Sequence, residues 1–99
     1  MSAQLERDRP IAIAPGFRLQ WEEAQDAHVL LYPEGMVRLS ESAGAILSRC
    51  DGNRSLEGVL ASLKEAFPGV DLEGDVVEFL TIALDKGWIA LDSSDRLRS

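Results

Sequence analysis

The sequence predicts an α+β domain, winged helix-turn-helix-like, in which a three-stranded antiparallel meander is followed by three α-helices. Three observations predict it. Phe17, Leu19 and Trp21 alternate with Arg18, Gln20 and Glu22, the period of two that a half-buried strand shows. Residues 28–40 carry two further apolar alternations around Pro33-Glu34-Gly35. After Ser40, apolar residues recur three and four apart in three successive stretches, each closed by a glycine. Strands first and helices second is the segregation of an α+β fold.

The meander is organised around the second turn. Proline fixes φ at the value wanted inside a turn, and a following glycine can take a left-handed position. A three-residue loop would close on Tyr32 and Met36, pairing Leu31 with Val37 and Val29 with Leu39. Those four side chains would then share the core face. Glu23 to Asp26 is the polar turn ahead of it, and Pro15-Gly16 punctuates the approach to the first strand.

Ser40 is a natural N-cap for the first helix, with Ala43, Ile46, Leu47 and Cys50 on one face and Asp51-Gly52 as its stop. After an Asn53-Arg54 loop, Ser55 caps a second helix with Leu56, Val59, Leu60, Leu63 and Phe67 inward, ended by Pro68-Gly69. Asp71 opens a third, with Val76, Val77, Leu80, Ala83 and Leu84 inward and Gly87 at its end. Trp88 to Leu91 is an apolar exit that packs back on the body. The expected organisation is an N-terminal arm over 1–14, flexible or extended through Ile11 and Ile13, one domain over 15–91, and a polar tail over 92–99.

Composition narrows the function. Ninety-nine residues make one small domain, and 45% hydrophobic content suits a globular chain. One cysteine excludes an internal disulfide, and one histidine beside it leaves no ligand set for a structural zinc. No apolar run approaches a membrane span, and MSAQLERDRP lacks the apolar segment of a signal peptide, so a soluble cytoplasmic protein is expected. The net charge of −7 argues against nucleic acid as the partner.

Catalytic chemistry finds little to stand on. His28 is alone and reads as a sheet-surface side chain. Cys50 ends an apolar stripe and reads as a small buried hydrophobe. Gly44, Gly52 and Gly58 have no phosphate-loop spacing. The expectation is a protein that is not an enzyme and holds no cofactor or metal.

One feature does point to binding. A three-stranded meander leaves its last strand, Met36 to Ser40, as an unpaired edge. Three readings stay open for it: an edge blunted by Arg38, a homodimer contact, or a template to which an extended peptide adds a strand.

The residues Leu30-Leu31-Tyr32-Pro33-Glu34-Gly35-Met36-Val37-Arg38-Leu39-Ser40, then Ser42-Ala43, Ile46-Leu47 and Asp51-Gly52, resemble the PqqD family. Asp75-Val76-Val77-Glu78-Phe79-Leu80 and Lys86-Gly87-Trp88-Ile89 resemble its last helix and exit, so the likeness runs over about residues 15–91. The resemblance implies a peptide chaperone of pyrroloquinoline quinone biosynthesis. Such a protein binds the precursor peptide PqqA and presents it to PqqE, a radical S-adenosylmethionine enzyme. The iron–sulfur cluster and S-adenosylmethionine would belong to PqqE. Carried onto this chain, the resemblance implies a peptide strand along Met36, Val37, Arg38, Leu39 and Ser40, and a groove beside the third helix at Asp75, Val76, Phe79 and Ala83. The alternatives are a recognition domain of another modified-peptide pathway, a DNA-binding winged helix disfavoured by Glu73, Asp75, Glu78 and Asp85, and a homodimer through the edge strand.

Overall fold

The computed structural model describes residues 5–91, which form six strands and three helices. In chain order they are β1 (Ile11–Ile13), β2 (Arg18–Glu22), β3 (Ala27–Tyr32), β4 (Gly35–Arg38), α1 (Glu41–Leu47), β5 (Asp51–Arg54), α2 (Leu56–Ala66), α3 (Glu73–Asp85) and β6 (Ile89–Leu91). The meander β2-β3-β4 precedes the three helices, as the sequence predicts. A second antiparallel sheet, ordered β5-β1-β6, joins the two ends of the domain.

The meander's register differs from the expected one. Tyr32 pairs with Gly35, Leu31 with Met36, Leu30 with Val37 and Val29 with Arg38. Pro33 and Glu34 alone span the turn, and neither adopts a positive φ. Gly35 is thereby released to be the first residue of β4. A loop one residue shorter shifts the pairing by one and turns β3 over relative to β4. The core face is therefore Leu19, Leu30, Val37 and Leu39, with Leu30 fully buried. Val29 and Leu31 lie on the opposite face, where Val29 is also buried. The β2–β3 turn follows its polar sequence, with Asp26 in the left-handed region at φ 53°.

Ser40 caps α1: its Oγ accepts a hydrogen bond from the Ala43 N–H at 3.1 Å. Ala43, Ile46, Leu47 and Cys50 are all buried, as the periodicity requires. The helix ends before Asp51-Gly52, and residues expected as stop and loop form β5 instead. Asp-Gly-Asn-Arg has little strand propensity; its partner decides the matter. Ile11 opposes Arg54 and Ala12 opposes Asp51, so Gly52 and Asn53 are accommodated between two adjacent pairings. Gly52 takes φ 87° there, a conformation that favours glycine.

Part of the expected arm is thus a component of the core. Ile11–Ile13 is the central strand of its sheet, and Ile11 has no exposed surface. Ahead of it, Arg7 reaches Glu57 at 2.7 Å and Glu73 at 2.9 Å, tying the chain to the first turns of α2 and α3. Both pairs are about half exposed, so water screens them and each is only a weak tether. The expected tail over 92–99 lies outside the described residues.

Leu56, Val59 and Leu63 of α2 and Val76, Leu80 and Ala83 of α3 are buried against β1, β6 and α1 in one cluster. Phe67 departs from the expected inward stripe. It is the C-cap residue of α2, has left helical geometry (φ −130°, ψ 70°), and is 42% exposed.

Candidate functional site

β4 lies at one edge of its sheet and pairs only with β3 among the described residues. The Leu39 N–H donates to the His28 carbonyl at 3.0 Å. Hydrogen-bonding direction alternates along an antiparallel strand. Gly35, Val37 and Leu39 therefore turn their backbone groups toward β3, and Met36 and Arg38 present theirs outward. The two outward residues are exposed, Met36 to 49%. Of the five predicted strand-site residues, Met36, Val37 and Arg38 are in the strand. Leu39 is buried in the core, and Ser40 is committed to capping α1.

The four positions expected on α3 divide by burial. Asp75 is exposed in the first turn, and Phe79 is half buried on the rim of the core. Val76 (2% exposed) and Ala83 (0%) are inside it. Val37 of β4 and Phe79 of α3 flank the same cluster. The remaining exposed face of α3 carries Glu73, Glu78 and Asp85.

The two reactive residue types have structural surroundings. Cys50 is buried, and its Sγ–H donates to the Ile46 carbonyl at 3.4 Å. Burial, reinforced by the neighbouring Asp51 charge, pushes its thiol up to about 12 from an ordinary 9.0, so it stays protonated. His28 is not on the free surface of the sheet. Its ring meets Trp21 edge-on, centroids 5.0 Å apart, and its other side abuts Gly44 of α1. Sequence reasoning passed over that contact; a glycine between Ala43 and Ala45 in a helix was its only signal. Among the described residues no group of three or more His, Cys, Asp or Glu side chains could hold a metal ion.

Comparison with known proteins gives this edge its context. A family model described as "Coenzyme PQQ synthesis protein D (PqqD)" matches residues 27–89. The chain belongs to the PqqD family. The PqqD match begins at β3 and runs through β4, all three helices and β5 to the start of β6. A protein of Azotobacter vinelandii named "PqqA binding protein" is 57% identical over 77 residues, covering 77% of this chain and 84% of the relative. One of the same name from Klebsiella pneumoniae is 54% identical over 82 residues, covering 80% and 87%. A solved structure, the PqqD truncation of Methylobacterium extorquens PqqCD, superposes with a TM-score of 0.66 at 26% identity. It covers 81% of this chain and 87% of its own. That PqqD is described as a functional, stand-alone recognition element for ribosomally synthesised, post-translationally modified peptides.

Proposed function

We propose that this chain binds the PqqA precursor peptide by strand addition on β4 and presents it to PqqE, acting in the cytoplasm as an adaptor without chemistry of its own. The observation that carries the reading is the outward-facing backbone of Met36 and Arg38 on an otherwise unpaired edge. An extended peptide satisfies those groups with its own N–H and C=O, and neighbouring pockets select its alternate side chains. The names of the PqqA-binding relatives supply the ligand.

On this reading Met36, Val37 and Arg38 form the docking strand, and Leu39 and Ser40 end it at α1. Asp75 and Phe79 offer α3 side chains to the bound peptide, with Val76 and Ala83 supporting them from the core. Presentation to PqqE then works through effective concentration, since a tethered substrate meets its enzyme in an intramolecular step. A homodimer through β4 would use the same groups and compete with peptide.

The test is a pair of proline substitutions. Arg38→Pro removes an outward N–H and should abolish peptide binding while the fold survives. Val37→Pro removes an inward N–H and should destabilise the hairpin. Wild-type peptide affinity in folded Arg38→Pro protein overturns the strand-addition reading.

A further inference from the structure

The meander ends, on the side away from the Pro33-Glu34 turn, in an open groove of about 750 Å³ between the sheet, α1 and the end of α2. Three features make it unlike the rest of the surface. First, it holds two large aromatic side chains in exposed positions, Trp21 at 48% and Phe67 at 42%. Trp21 is braced from beneath by His28, which is itself set against Gly44.

Second, it holds a fixed guanidinium, that of Arg49, and Arg38 of the edge strand also lines it. Arg49 is fixed in place: its Nε donates to Ser62 Oγ and its Nη1 to the Ala45 carbonyl, both at 2.8 Å. Those bonds use two of its five N–H donors. Arg38 makes only a long contact, Nη2 to the Gln25 carbonyl at 3.5 Å. In a chain of net charge −7, neither arginine forms an ion pair with a carboxylate among the described residues. Asp26 and Glu41 also line the groove, yet they pair with neither.

Third, the groove begins where β4 stops. Arg38, Leu39 and Ser40 form part of its wall. A peptide paired along Met36 and Arg38 leaves the sheet at this end and runs into the groove.

We infer that this groove is a second subsite for the same peptide, taking an acidic segment with an apolar or aromatic side chain immediately beyond the residues paired with β4. The carboxylate meets Arg49, and the apolar side chain lies between Trp21 and Phe67. A fixed guanidinium loses little freedom on binding, and a carboxylate suits its planar fork. The volume accommodates a few side chains. This inference rests on the PqqA-binding reading and adds where the peptide goes after the strand and what selects it there.

The test uses the full chain, a synthetic PqqA peptide, and the same peptide with every Asp and Glu changed to Asn and Gln. Affinities are measured by calorimetry for wild type, Arg49→Gln and Trp21→Ala, and backbone amide and Trp21 indole signals are followed by NMR. The expected result is a roughly tenfold weaker complex for each protein variant, with the Met36 and Arg38 amides still shifting. The amidated peptide should bind wild type about tenfold more weakly, yet bind Arg49→Gln much as the acidic peptide does. The wild-type comparison of the two peptides needs no folded variant. Shifts at Met36 and Arg38 with a motionless indole and equal affinities for both peptides overturn the subsite and leave strand addition standing. No shift at either place overturns both.

Discussion

The ring of His28 occupies the space that a side chain on residue 44 would need. A Cβ built on Gly44 would lie 2.6 Å from His28 Nδ1 and 3.1 Å from its Cβ. This close approach is among the contacts that join α1 to β3, and the same imidazole meets Trp21 edge-on. Gly44→Ala adds helix propensity worth up to about 1 kcal/mol. It also overpacks a tight contact, at about 1–3 kcal/mol. The expected net outcome is destabilisation of about 1 kcal/mol by urea denaturation. Adding His28→Ala should recover part of it, because the two residues share the clash. Additive losses would contradict this account of the contact.

Ser40 follows the open edge strand β4 and caps α1 through its Oγ. Ser40→Ala should lower stability by about 1 kcal/mol. Ser40→Asp, which keeps an acceptor at the helix start, should lose much less. Denaturation midpoints compare the two. Equal losses would mean that the cap is not what Ser40 contributes.

Leu80 is fully enclosed, whereas Phe79 beside it is half buried on the core's rim. Leu80→Ala should cost about 2–5 kcal/mol. Phe79→Leu should change stability by less than that and weaken PqqA binding severalfold. Thermal melts and peptide titration separate the two effects. A large loss of stability with unchanged affinity would make Phe79 a core residue and no part of the site.

The Cys50 thiol is raised to about 12 by burial. The folded state then prefers the protonated thiol more than the unfolded chain does. Its contribution to stability is complete below the ordinary value of 9.0 and is lost as pH rises toward 12. Wild type should lose more stability between about pH 9 and pH 11 than Cys50→Ala does, as read by chemical denaturation. The native thiol should also react slowly with disulfide reagents at neutral pH. Identical pH profiles would contradict the assignment.

What could be read from the sequence was what local chemistry decides. The α1 stripe of Ala43, Ile46, Leu47 and Cys50 follows from period and cap, and the burial agrees. The location of an open edge after the Pro33-Glu34 turn also follows from element order. The register did not, because two- and three-residue turns fit Pro33-Glu34-Gly35 equally well, and one residue of difference turned β3 over. Asp51–Arg54 gave no strand signal of its own, since pairing with Ile11–Ile13 imposes its conformation from about forty residues away in the chain. Phe67 fits a helical period but sits at the helix end, where that period no longer governs direction. On α3 the same pattern that made Val76 and Ala83 helical also made them core. Phe79 and Asp75 already fall outside that inward stripe by spacing, and the partial exposure of Phe79 and the exposure of Asp75 agree with it.

The central claim is that PqqA adds a strand to β4. The measurement that tests it most directly is an NMR titration of isotope-labelled protein with PqqA, read for hydrogen-exchange protection at the outward amides of Met36 and Arg38. The account predicts that both amides become protected on saturation, while Val37, already bonded to β3, changes little. Saturation by peptide with Met36 and Arg38 still exchanging freely would contradict it.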